Sequence, residues 1–244
     1  MHPRFPFAQS ATLALILCLA TRLIAAEGDK PAPTDSPKPS ASALQKQGRG
    51  IFNLKDVTLD NIKGAVSFPA VVNMNSNVVE YVVVCDDGKT HESLLRTTVE
   101  PRDIHVAMLL IGAKCAPPLS PDELLRVTRF KGDKVQVWVE WKDEKTSHKV
   151  RAEDLLRNNE TGKTMQHNHW IYNGSWTFKK TFIAEVERSI LAIFTDKDAL
   201  MNCADPQSAN DEIWFAHTKK IPKEGAPVRV TFQLLPTEKQ AKAK

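Results

Sequence analysis

Two stretches of strict alternation constrain this chain more than any other feature. Val135, Val137, Val139 and Trp141 alternate with Gln136, Trp138 and Glu140, and Val228, Val230, Phe232 and Leu234 alternate with Arg229, Thr231 and Gln233. A period of two turns successive side chains to opposite faces, so both stretches predict strands with one face on a core. Further strands are expected over 182–194 and 213–215. In a chain of 244 residues of which 42% are hydrophobic, such strands have enough apolar partners to enclose a sizeable core.

A third strand signal lies between them. Val78 to Cys85 is β-branched and aromatic, Asp87-Gly88 is a type I′ turn pair, and Lys89 to Thr97 continues as a second strand. The expectation is an antiparallel hairpin in which Val84 faces His91 and Val83 faces Glu92, so that His91 and Glu92 lie on opposite faces. Pro101, Asp103 and Gly112 then punctuate a helix whose Ile104, Ala107, Met108 and Ile111 recur at helical spacing. Val106, Leu109 and Leu110 make it apolar nearly all round, which predicts a helix buried against the sheet. Ser120 to Glu123 spells a capping box for a second short helix, and 151–157 reads as another. The fold class these elements predict is α+β, a mostly antiparallel β-sheet with a buried helix and one or two short helices, either one body or two halves joined near Gly132.

The ends of the chain carry an address. Arg4 precedes a run from Ala11 to Ala20 that is apolar except for Thr12, and Ala25-Ala26 stand before Glu27. This is the pattern of a secretory signal peptide cleaved near Ala26, with an apolar run about ten residues long where a bilayer span needs about 20. Export to the periplasm or cell envelope of a bacterium is the expectation, with no membrane span in the mature chain. Residues 27–50, with Pro31, Pro33, Pro37 and Pro39 among Ser, Ala and Lys, read as a disordered spacer, and 237–244 as a basic tail. The folded unit is expected over 51–236. Thirty-three basic against 29 acidic residues give a net charge of +4, too balanced for nucleic-acid binding driven by phosphate neutralisation.

Loss of Cys18 with the signal leaves Cys85, Cys115 and Cys203 in an oxidising compartment. One bridge and one free thiol is the simplest outcome, with Cys85–Cys115 the pairing chosen because these two flank one compact segment. Three distant thiols do not make a four-thiolate iron–sulfur site.

Several segments together resemble the YdjY-domain family of exported bacterial proteins. They are Val66 to Asn73, Val79 to Tyr81, Gly88-Lys-Thr-His-Glu-Ser-Leu-Leu95, Ile104-His105 with Leu109 to Lys114, Val139 to Trp141, Ala152 to Leu155, Thr161 to Lys163, Trp170 with Gly174-Ser175, and Asn210 to Trp214. The resemblance spans roughly 57–236 and is most specific in His-Glu-Ser-Leu-Leu. It implies export and a shared fold, and brings no reaction or cofactor with it. Ser189 stands where the family pattern favours Gly, and Ser76-Asn77 fills a turn that usually carries Gly.

Four constellations carry chemistry. His91, Glu92 and Ser93 beside a tight turn, with His105 just inside a neighbouring helix, could bind a ligand, share a metal or bracket a carbonyl. Asn210, Asp211 and Glu212 before Trp214 suit cation binding or acid–base work, or simply an Asx turn at a strand start. His167 and His169 are alternate residues whose imidazoles could reach one Zn²⁺ or Cu²⁺ ion. Tryptophans 138, 141, 170, 176 and 214 raise a sugar-stacking platform, although several are expected in the core. The leading expectation is a non-enzymatic binding module of the envelope, for a protein partner or small ligand, centred on His91, Glu92, Ser93, His105, Asn210 and Asp211. The alternative is a metal-dependent or redox enzyme with a His/Glu-centred site.

Overall fold

The computed structural model describes residues 44–115, 123, 130–167 and 170–236. Strands β1 (Leu44–Gly48), β2 (Ile51–Leu54), β3 (Val57–Asp60) and β4 (Ala65–Val72) form an antiparallel meander. Next come β5 (Tyr81–Cys85), a 3₁₀ turn (Thr90–Glu92), β6 (Ser93–Thr97) and helix α1 (Pro101–Leu110). The hairpin of β7 (Asp133–Lys142) and β8 (Ser147–Arg151) follows, then the 3₁₀ turn Ala152–Leu155 and β9 (Leu156–Asn158). The remainder comprises β10 (Trp170–Tyr172), β11 (Thr177–Phe178), β12 (Thr181–Phe182), α2 (Ile183–Glu187), β13 (Ser189–Ala192), β14 (Met201–Cys203), β15 (Trp214–Ala216) and β16 (Pro227–Leu234).

Eight of these strands close on themselves. The order β4-β16-β7-β10-β14-β13-β5-β6 returns to β4, because Val71 and Val72 pair with Arg96 and Leu95. The architecture is therefore a mixed β-barrel, which overturns the expected α+β sheet. Six of the eight junctions are antiparallel; β5–β6 and β13–β14 are parallel. β16 lies between β4 and β7, so N-terminal and C-terminal strands share one barrel instead of forming two halves joined near Gly132.

The alternating stretches behave as their periodicity demands. Val135, Val137 and Val139 of β7 and Val230 and Phe232 of β16 are fully buried, and Phe232 meets Phe68 edge to face at 5.2 Å. Strands β5 and β13 are buried along their whole length, as strands with a parallel neighbour and both faces covered usually are.

Several local expectations are corrected. β5 and β6 run parallel, with Tyr81 opposite Ser93 and Val83 opposite Leu95, so the expected hairpin is a short crossover. Gly88 is needed there for space: a Cβ on it would lie 2.8 Å from the Cβ of Arg188. Residues 182–194 are not one strand but the end of β12, helix α2 and β13, divided at Arg188, which takes left-handed angles (φ 59°). Asn77 likewise occupies its turn at φ 71°. Helix α1 buries Ile104, Ala107 and Met108 but leaves Val106, Leu109 and Leu110 exposed, so it lies on the barrel with one face open.

The region 151–157 holds a 3₁₀ turn between two strands, not an α-helix. The helix expected after Ser120 lies, Glu123 apart, outside the described residues. β1 falls within the stretch read as spacer, so ordered structure begins before Ile51. Cys85, Cys115 and Cys203 are all unbridged, which removes the Cys85–Cys115 pairing. Cys85 instead points into the core, its thiol 3.6 Å from the Val99 carbonyl oxygen. Among the described residues no helix is long and apolar enough to cross a membrane.

Candidate functional site at the barrel crossover

The connection from β5 to β6 is only Asp86 to Glu92, and a network of side chains holds it. Asn73 donates from Nδ2 to the carbonyl oxygens of Thr90 (2.6 Å) and Ser93 (2.8 Å), and Ser93 donates from Oγ to the Lys89 carbonyl (2.6 Å). The Lys89 ammonium turns inward. It donates to Tyr81 Oη at 3.0 Å, lies 3.4 Å from both Ser189 Oγ and Asp196 Oδ2, and sits 5.0 Å above the Tyr81 ring. Tyr81 in turn donates to Asp196 Oδ2 at 2.9 Å. Burial and the Asp196 charge push the Tyr81 phenol well above its ordinary range, so it remains a donor.

The outer side of the crossover is different. His91 is largely exposed (78%), and its Nε2 lies 3.4 Å from Glu92 Oε2. The backbone N–H of Glu80 donates to the Glu92 carbonyl at 2.8 Å, which brings Glu80 beside Glu92. Burial, the charges of Glu92 and Asp211, and a side-chain hydrogen bond with Glu92 all raise the Glu80 carboxyl above its ordinary value, while His91 offsets part of this. Asp211 arrives from a distant part of the sequence, because Val78 bridges Phe215 and the Val79 N–H donates to the Trp214 carbonyl at 2.9 Å. His91, Glu92 and Glu80 thus adjoin one another, within electrostatic reach of Asp211.

This gathers part of the predicted set and disperses the rest. His91 and Glu92 are in contact instead of on opposite faces, and the Asp211 charge reaches the neighbouring Glu80. Ser93 is fully buried and holds the crossover, so it is not open to a ligand. Asn210 accepts from the Glu212 N–H at 2.9 Å, the Asx turn that such a sequence favours.

His105 belongs to another neighbourhood. Its Nδ1 is 2.8 Å from Tyr172 Oη, its ring centroid is 4.9 Å from that of Phe182, and among the described residues no hydrogen bond or ion pair joins it to His91. Burial, helped by the nearby Arg102 charge, pushes its pKa down to about 4, so the ring is neutral at pH 7. Gly174 is packed against it. A Cβ there would lie 2.5 Å from Cys115 Cβ and 3.3 Å from His105 Cε1.

Of the proposed metal pair, His169 lies outside the described residues, and His167 Nε2 is 3.1 Å from Asp154 Oδ1. Among the described residues no group of three His, Cys, Asp or Glu side chains is placed to hold a metal ion.

Sequence reasoning missed Glu80, Tyr81, Lys89 and Asp196. Glu80, a lone acid opening a fully buried strand, was the available signal, as was Lys89 within Gly-Lys-Thr-His-Glu.

The fold and site define a closed mixed barrel with a polar crossover at one end, a class set by architecture and not by chemistry. The chain belongs to the YdjY domain family, whose model matches residues 57–233. Neither a curated protein nor a solved structure matches it.

Proposed function

We propose that the domain is an exported binding module of the bacterial cell envelope that receives a cationic group, an amine or guanidinium of a partner, at the acidic end of its barrel. The observation that carries this is the Glu80 carboxyl, raised by burial and then by the charges of Glu92 beside it and of Asp211. Like charges held together oppose folding and are relieved when a cation enters, and groups so perturbed cluster at functional sites. The signal-like N-terminus and the Pro-rich segment before the barrel support export and a tethered position.

The test uses the chain from Glu27 onward and two probes, tri-lysine and tri-glutamate. Saturable amide shifts at His91, Glu92 and Asp211 are expected with tri-lysine alone, weakened about ten-fold by Glu80→Gln combined with Glu92→Gln. Equal shifts from both peptides, or no change in the double variant, would overturn the reading.

A second reading rests on the same pair. A carboxyl raised above its ordinary value by burial and by a hydrogen-bonded acidic neighbour, as Glu80 is beside Glu92, is equipment for acid–base chemistry. His105 takes no part in it, since it is held by Tyr172 away from this end.

A further inference from the structure

The aromatic residues singled out in the sequence sort clearly in the fold. Trp170 and Trp214 are core, Trp138 lies under Lys149 and Arg151, each 5.3 Å from its ring, and Trp176 donates to Asp198. Trp141 is half-buried and lines a cleft of about 530 Å³ between the β7–β8 hairpin and residues 219–222. In that cleft its ring stacks on His148 with centroids 4.8 Å apart and planes 11° from parallel.

The acids of the cleft are committed to the protein itself. Asp143 Oδ1 accepts the N–H groups of Lys145 (2.9 Å) and Thr146 (2.7 Å), and Oδ2 lies 2.7 Å from His148 Nε2, which fixes the imidazole flat on Trp141. Asp154 bonds His167. The cations are not so committed. Among the described residues no ion pair reaches Lys219, Lys220 or neighbouring Arg157. Their uncompensated charge reaches His217, whose proton affinity is lowered by burial and then by Lys220, Arg157 and Lys219. The cleft is therefore lined by a flat aromatic shelf that Asp143 holds in place and by two lysines that no ion pair among the described residues engages.

We infer that this cleft is a second binding site, for an acidic saccharide whose ring lies on the Trp141–His148 shelf and whose carboxylate is met by Lys219 and Lys220. The C–H face of a pyranose suits one-sided stacking on an aromatic shelf, while a ligand without an anionic group would leave the lysines unpaired. The site is independent of the acidic end, whose Glu80 and Glu92 it does not include.

The test follows the Trp141 indole N–H and the His148 ring by NMR in the chain from Glu27 onward, with tetragalacturonate, maltotetraose and polyglutamate as probes. Tetragalacturonate is expected to give saturable shifts, with maltotetraose and polyglutamate each about ten-fold weaker or more. Lys219→Ala with Lys220→Ala, and separately His148→Ala, are each expected to weaken tetragalacturonate about ten-fold. All three positions lie at the surface of the hairpin or turn, and an unchanged amide spectrum elsewhere verifies that each variant is folded. No saturable shift, shifts of equal strength from polyglutamate, or unchanged affinity in both variants would overturn the inference.

Discussion

His91 and His105 stand fourteen residues apart and looked like partners, yet they occupy opposite kinds of environment. His91 is exposed among carboxylates on a crossover held from beneath. His105 is packed between Tyr172 and Phe182, neutral, and pressed against a glycine backbone. The first arrangement leaves a polar group open to a partner, and the second satisfies one internally. The difference teaches that polar residues close in sequence can be divided by a barrel into one left open to solvent and one that serves the fold.

The largest expected effect breaks the structural half of that comparison. Gly174→Ala places a Cβ 2.5 Å from Cys115 at a residue with φ +78°, and should cost about 3 kcal/mol or more, whereas His91→Ala should stay within about 0.5 kcal/mol. Urea denaturation of both variants measures this. Equal costs would erase the distinction.

Next in size is the pH dependence from His105. Its folded pKa of about 4 lies below its ordinary 6.5, so between these values the unfolded chain binds the extra proton. Its contribution is constant above about 6.5 and falls as pH drops toward 4, by about 2 kcal/mol for a partly buried ring. Denaturation midpoints of the wild type and His105→Gln across this range should diverge, the variant being the flatter. Tyr172→Phe removes the hydroxyl partner of Nδ1 and should cost about 1–2 kcal/mol, read from the same curves.

The smallest effect has the opposite sign and belongs to the acidic end. Glu80 has a raised carboxyl, so the folded chain binds more protons than the unfolded one above pH 4.5, and the Glu80 contribution is lost as pH rises through its folded pKa. Glu80→Gln should therefore stabilise the protein at pH 7 by a few tenths of a kcal/mol, visible as a small rise in Tm. Destabilisation instead would mean that Glu80 is a structural acid like those around Lys89.

Much of the barrel wall was legible because β7 and β16 carry their burial in a period of two. The crossover was not. Asp87-Gly88 has the composition of a hairpin turn, but Gly88 is there because the Arg188 backbone passes over it, a contact 100 residues distant in sequence. A better signal lay in Tyr81-Val-Val-Val-Cys85 and Ser189-Ile-Leu-Ala192, which lack alternation because both faces are covered, as in strands with parallel partners. Closure depends on Val71 and Val72 meeting Arg96 and Leu95, which no local pattern announces. At the site, His91 and Glu92 stood out by residue type, whereas Asp211 joined them only through the pairing of Val78 with Phe215.

The central claim, that the crossover end is a strained acidic receptor for a cation, is tested most directly by following the Glu80 and Glu92 side-chain carboxyl carbons by NMR through a pH titration, with and without tri-lysine. The account predicts that Glu80 titrates above the ordinary glutamate range and moves back down when the peptide is present. An ordinary Glu80 titration that the peptide leaves unchanged would contradict it.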